Sequence, residues 1–368
     1  MSASGESSTT MHRLLHASGS HPIPPPNDPN QTMANSHTWI ILIGLSVILC
    51  SRVADAKIGV CYGILGSNLP SPREVVSLCR RYGIGSVRVY NPNPGVLKAL
   101  NGSKISVMVG VPNEDIPTIG QNPAAAQAWV KNNIRGFQDV KFKYIVVGNE
   151  INPLDPATAS IAPFVVPAMQ NIYAAVSGSS IKVSTAISTG ILGKSYPPSA
   201  GAFWADISGY IGPVIHFLKR HNSPLLANIY TFLPYIGDPH HISLEYALFT
   251  SPSAFVVDGP YKYQNLFDAT LDAIHVALEK FGAHYVDIVV SETGWPSAGG
   301  LGASVQNAKI FNTNLVKHVS AGTPRRPGKH IETYIFDLID ENQKSPEYER
   351  HWGLFLPNKY PKYPLTFS

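Results

Sequence analysis

The chain has 368 residues, 44% hydrophobic and 14% charged, with a formal net charge of +4. The apolar share supports a packed core and excludes a disordered chain, while charged residues fall well below the roughly one quarter usual in soluble domains. No basic run stands out, so nucleic-acid binding finds no support, and low charge with abundant Tyr and Asn fits an extracellular protein that handles neutral polar ligands.

Residues 1–32, rich in Ser, His, Pro and Asn and centred on Pro24-Pro25-Pro26, read as a disordered N-terminal extension. A different pattern begins at Met33, an alternative start. The continuous apolar run from Trp39 to Cys50, followed by Ala54-Asp55-Ala56, marks 33–56 as a secretory signal. It is shorter than the roughly 18 residues a membrane span needs. Cleavage after Ala56 leaves a single expected catalytic unit, 57–368. Two cysteines remain in it, Cys61 on an apolar strand and Cys79 on a helix pattern. They read as buried free thiols, with a disulfide as the alternative that a secretory route permits. No Cys/His spacing fits a metal, and His240-His241 read as part of a solvated loop. Asn101-Gly102-Ser103, in an expected loop, is a glycosylation sequon.

From residue 57 onward, short β-branched runs alternate with helical patterns. The expected strands are 57–62, 85–90, 104–110, 143–148, 181–187, 225–230, 286–291 and 331–336. The expected helices lie near 71–82, 94–100, 123–138, 162–177, 203–220, 264–281 and 303–319. Turn and cap residues open them: Pro72, Pro94, Asn122-Pro123, Ala162-Pro163, Ser199, Gln264-Asn265 and Ser304. Runs such as Tyr144-Ile145-Val146-Val147 are apolar throughout, as strands covered on both faces must be. Eight such βα units predict a closed (β/α)₈ barrel of the TIM type. An open doubly wound sheet is the runner-up, but Gly63-Ile64-Leu65-Gly66 makes a poor phosphate loop. Residues 231–263 show no clear helix and hold Phe232, Tyr235, Phe249, Phe255, Tyr261 and Tyr263. They are expected to form a small subdomain inserted after strand six, walling one side of a cleft.

A barrel of this kind works at the C-terminal ends of its strands. There the sequence places Tyr62, Tyr90, Asn149-Glu150, Tyr230, Glu292 with Trp295 close behind, and Phe336. Glu150 ends strand four and Glu292 ends strand seven, which face one another across the mouth. Glycoside hydrolysis needs such a pair: one carboxylic acid to protonate the leaving oxygen, and one carboxylate to attack the anomeric carbon or activate water. Asn149 can bond a sugar hydroxyl, and Trp295 offers a flat face for a pyranose ring.

Several motifs carry a wider likeness. They are Ile58-Gly59-Val60-Cys61-Tyr62-Gly63, Val87-Arg88-Val89-Tyr90, Val147-Gly148-Asn149-Glu150, Ala227-Asn228-Ile229-Tyr230, Tyr263-Gln264-Asn265-Leu266-Phe267-Asp268, Val290-Ser291-Glu292-Thr293-Gly294-Trp295-Pro296-Ser297, Glu332-Thr333-Tyr334-Ile335-Phe336 and Trp352-Gly353-Leu354-Phe355. Through them the stretch Lys57–Ser368 resembles the plant glucan endo-1,3-β-glucosidases of glycoside hydrolase family 17. The resemblance implies endo-hydrolysis of β-1,3-glucan with retention, Glu150 as proton donor, Glu292 as nucleophile and Glu341 as a further glutamate near the site. It also implies a plant host, in defence or callose turnover. The chain departs from the family at Tyr230-Thr231, where a proline is usual after the tyrosine, at Thr293, where serine is common, and at Phe336-Asp337-Leu338-Ile339, where Ala-Met-Phe is more common after the phenylalanine. Those departures keep a mixed-linkage β-1,3-1,4-glucanase open. A non-catalytic glucan-binding wall protein and a transglycosylase are the other rivals. No metal or cofactor is expected. The expected partner is the glucan itself, bound by a monomer with no nucleic acid and no membrane once the signal is removed. With no polar spacer and apolar tail before Ser368, secretion to the extracellular space or cell wall is expected.

Overall fold

The computed structural model describes residues 58–367; the expected extension 1–32 and signal 33–56 lie outside the described residues. Eight parallel strands close into a barrel. They are β1 (Gly59–Cys61), β2 (Ser86–Val89), β3 (Ser106–Val111), β4 (Lys141–Asn149), β5 (Lys182–Ser188), β6 (Leu225–Asn228), β7 (Ile288–Thr293) and β8 (Thr333–Ile335). Each lies within or beside the run that its β-branched sequence predicts. Order round the barrel follows the chain, and β1 closes on β8 through Gly59↔Tyr334 and Val60↔Ile335. A side chain at Gly59 would stand 2.4 Å from Tyr334 Cδ1, so the seam needs a residue without one.

The helices form where caps and apolar spacing place them. Glu74 reaches back to the main-chain N–H of Ser71 (2.9 Å), ahead of Pro72 at the first helical position of Pro72–Arg81. Asn93, Asn122, Asn265 and Ser304 each accept a main-chain N–H of the first turn that follows. Two expectations shift. A separate helix, Ile116–Gln121, precedes Pro123–Val130, which then runs into a π turn, Lys131–Arg135. The helix expected from 203 begins at Ser208; before it come single 3₁₀ turns and a hairpin pairing Leu192–Lys194 with Ala202–Phe203. Ser199 therefore opens no long helix. Its N–H and hydroxyl bond Asp258, at 2.6 and 2.7 Å, and so pin the loop after β5 to the stretch after β6.

That stretch, 231–263, holds two short helices, Phe232–Gly237 and Leu244–Ala247, and a hairpin of Val256–Asp258 with Tyr261–Tyr263. Phe232, Tyr235, Ala247 and Leu248 join the main core. Asn101 lies exposed in the turn after Pro94–Leu100, and Cys61 and Cys79 are both buried free thiols. Among the described residues no helix is long and apolar enough to cross a membrane.

Candidate active site

The end of β4 is bent to present Glu150. Gly148 sits at φ +84°, where a Cβ would meet Ile151 Cδ1 at 2.5 Å and Ile116 Cδ1 at 2.8 Å. Glu150 itself is left-handed at φ +54°, a conformation unfavourable to a residue with a side chain and characteristic of functional positions. The surroundings enforce it. Asn113 bonds both polar groups of the Asn149 main chain (2.8 and 3.0 Å), and the Glu150 N–H donates to Ala186 O on β5 (2.9 Å).

Glu292 lies near the end of β7 with three donors on its carboxylate. Tyr90 Oη donates to Oε1 (2.8 Å), Tyr230 Oη donates to Oε2 (2.6 Å), and Arg88 Nη1 stands 2.9 Å from Oε1. Burial pushes both tyrosine hydroxyls well above their ordinary values, so they remain donors. Arg88 starts on β2 and reaches three other strands inside the barrel. It donates to Asn228 Oδ1 (2.9 Å), to Ser291 O (3.0 Å) and to Asn149 Oδ1 (2.7 Å). Asn228 in turn donates to Glu150 Oε1 (3.0 Å) and Asn149 Oδ1 (3.1 Å).

One guanidinium and two amides therefore join the carboxylates, and they do so unequally. Glu292 receives a cation and two phenols. Glu150 receives one neutral amide, and burial together with the negative charge of Glu292 raises its carboxyl from 4.5 to about 7. The arrangement sets an acid that is still protonated in mildly acidic solution beside an anchored carboxylate, the division of roles that acid-assisted displacement needs.

Of the residues expected at the site, Tyr90 and Tyr230 meet at Glu292, and Asn149 belongs to the same network. Phe336 packs edge-on to both tyrosines, with ring centroids 6.4 and 6.1 Å away. Tyr62 is nearly buried at the end of β1. Glu341 lies beneath the loop after β1, where Oε1 accepts the Leu65 N–H (2.6 Å) and Oε2 stands 3.4 Å from Lys344.

Trp295 does not belong with them. It is 0% exposed, packs on Phe232, Tyr235 and Phe311, and donates through Nε1 to Gly302 O (3.0 Å). The chain turns after Thr293 and carries the indole behind the barrel mouth, so no sugar ring can stack on it. Sequence reasoning also missed members of the site. Arg88 and Asn228 are polar residues inside apolar strand runs, Val87-Arg88-Val89 and Leu226-Ala227-Asn228-Ile229, and that misfit was the available signal. Lys344 and Glu349 gave none. Lys344 stands 4.2 Å from the Phe336 ring centroid and 3.8 Å from Glu349. Burial first, and the charge of Glu292 further down the order, raise the Glu349 carboxyl. Among the described residues no cluster of His, Cys, Asp or Glu could hold a metal.

The chain is similar to known proteins over nearly all of its described residues. The pattern of "Glycosyl hydrolases family 17" matches residues 58–367. Glucan endo-1,3-beta-glucosidase B of Solanum lycopersicum is 49% identical over 334 residues, covering 89% of this chain and 92% of its own length. A basic vacuolar isoform of glucan endo-1,3-beta-glucosidase from Nicotiana tabacum is 49% identical, with 89% and 90% covered. The solved structure of CJP38, a beta-1,3-glucanase and allergen of Cryptomeria japonica pollen, superimposes with a TM-score of 0.82 at 45% identity, covering 85% of this chain and 99% of that one. The chain belongs to glycosyl hydrolases family 17 and is a glycoside hydrolase.

Proposed function

We propose that the protein cleaves internal β-1,3-glucosidic bonds of β-1,3-glucans by double displacement with retention, Glu150 acting as proton donor and Glu292 as nucleophile. The observation that carries the assignment of roles is the asymmetry of the pair: Glu292 anchored by Arg88, Tyr90 and Tyr230, and Glu150 raised to about 7. The names of the relatives support the substrate.

In the first step Glu150 gives its proton to the glycosidic oxygen as Glu292 attacks the anomeric carbon. The C–O bond to the leaving chain breaks and a glycosyl ester forms on Glu292. In the second, the Glu150 carboxylate takes a proton from water. That water attacks the same carbon from the opposite face and releases Glu292. Tyr90 and Tyr230 hold the nucleophile in line, and accurate placement matters because small displacements cost orders of magnitude in rate. Tyr62, Asn149, Phe336 and Glu341 are proposed to contact or shape the glucan site.

We assign 57–368 as the catalytic unit, following an extension at 1–32 and a signal at 33–56, and place the product in the apoplast or cell wall as a monomer that takes part in defence or wall-glucan turnover. The vacuolar names among the relatives fit entry through the same secretory route. The purified chain should hydrolyse laminarin to short oligosaccharides, faster than it does barley mixed-linkage glucan. Failure on laminarin with turnover of mixed-linkage glucan would move the specificity, and failure on both would overturn the reading.

A further inference from the structure

The end of β8 carries a carboxyl group that neither hydrolytic step uses. Asp337 is 2% exposed, as is its neighbour Glu341. Its Oδ1 accepts the main-chain N–H groups of Gly63 (3.4 Å) and Leu338, while among the described residues no donor reaches its sealed Oδ2. Its carboxyl neighbour is Glu341, equally sealed, whose negative charge acts on it. The other titratable groups facing Asp337 are Cys61 on β1, Tyr62 just after it, Lys344 in the following loop and Lys362 near the C-terminus. Lys344 also sits by Glu341 and Glu349, and Lys362 bonds Asp340. Two carboxylates sealed together repel. A single proton between them converts the repulsion into a hydrogen bond.

The same pair grips one loop. Gly63 N–H goes to Asp337 and Leu65 N–H to Glu341, while Gln343 N–H donates to Leu65 O (3.1 Å) and Ser67 N–H to Asn342 Oδ1 (2.9 Å). Residues 63–67, which follow Tyr62 at the barrel mouth, are thus clamped onto the segment after β8.

We propose that Asp337 is a positioning residue that carries a proton and donates it to Glu341, so that an acid–carboxylate pair clamps the 63–67 loop at the rim of the site. The placement of the clamp beside bound glucan rests on the function proposed above; the pair itself does not. Burial, and after it the charge of Glu341, raises Asp337 well above the ordinary range. The unfolded chain releases this proton near 3.8, whereas the native one retains it. Folding therefore takes up a proton at 337 above that pH, and wild-type stability is eroded as pH rises toward the native value.

The test is thermal unfolding of the full chain without substrate, from about pH 4 to about pH 8, for wild type, Asp337→Asn and Asp337→Ala. Both variants should gain several degrees on wild type as pH rises, because only wild type must retain the proton. A gap that does not change with pH would overturn the proposal. Glu341→Gln, whose amide can donate, should flatten the wild-type slope; an unchanged slope would remove Glu341 from the pair. On laminarin, Asp337→Ala should raise KM several-fold with little change in kcat. Asp337→Asn, which keeps an acceptor for Gly63 N–H, should restore KM. An unaltered KM in Asp337→Ala would overturn the role at the rim. A wild type inactive on laminarin would instead sink the glucanase reading and leave the pair to be decided by the unfolding series.

Discussion

Arg88 and Glu292 form an ion pair of 2.9 Å whose side chains are only 2% and 7% exposed. Charges this deep are tolerated when they are paired and hydrogen-bonded, and Arg88 bonds Asn149, Asn228 and Ser291 O as well. Replacing it with Met should leave Glu292 buried without its cation. The expected destabilisation is about 3–5 kcal/mol, with hydrolysis lost. Arg88→Lys keeps the charge but cannot fork between three strands, so stability should fall less than activity. Thermal midpoints and kcat/KM for the two variants check this; a stable, active Arg88→Met protein would contradict it.

Glu150 makes the pH dependence directional. It must be protonated to donate, and its carboxyl lies at about 7, so kcat/KM should fall as pH rises through about 7. Glu150→Gln should remove that limb, abolish laminarin hydrolysis and spare an aryl glucoside whose leaving group needs little protonation. Stability should fall in the same direction, over the window just below. Between 4.5 and about 7 the unfolded chain has lost the proton while the native one retains it, so wild type weakens across that window and Glu150→Gln does not. The difference in thermal midpoint should widen up to about pH 7 and then level off. Equal loss on both substrates, or a constant difference, would count against the assignment.

Trp295→Ala separates packing from binding. Truncating a fully buried indole costs about 3–5 kcal/mol through lost contacts and the cavity left behind. The midpoint should drop accordingly, while the KM for laminarin of the folded fraction stays near wild type. A stable variant with a weakened KM would return Trp295 to the site.

How much of this was legible depends on what each residue is paired with. Runs such as Val146-Val147 and Val289-Val290 declare strands covered on both faces, and eight of them with helices between leave few folds. Glu150 and Glu292 were legible because strand ends meet at one mouth whatever the loops do. Trp295 was misplaced because adjacency to Glu292 does not say which way the chain turns after Thr293. Arg88 and Asn228 hid among apolar neighbours, since their partners lie 61 to 204 positions away in sequence. The helix Ile116–Gln121 contains Pro117 and Gly120, and it is held by packing on Ala162–Ala175 rather than by its own propensity.

The stereochemical prediction draws on the whole site. Retention needs the two carboxyl groups about 5–5.5 Å apart, whereas inversion needs about 6.5–9.5 Å to admit a water between them. Here the Asn228 amide bonds Glu150 while its oxygen shares Arg88 with Glu292, and Asn228 sits opposite Glu292 in the β6–β7 ladder. One small network thus links both groups, and Glu292 is held at both oxygens, as the proposed nucleophile must be. Proton NMR of fresh laminarin hydrolysate should show the β-anomer first, before mutarotation. Glu292→Ala should lose about 10⁴-fold or more in kcat. Azide can enter the space that the side chain vacates and attack an activated β-glucoside from the face opposite its leaving group, so the rescued product should be the α-glucosyl azide. Tyr230→Phe, which removes the 2.6 Å donor to Oε2, should lower kcat more than it raises KM, because it loosens the attacking group rather than the sugar. Early appearance of the α-anomer from wild type would assign Glu292 instead to a base that activates water.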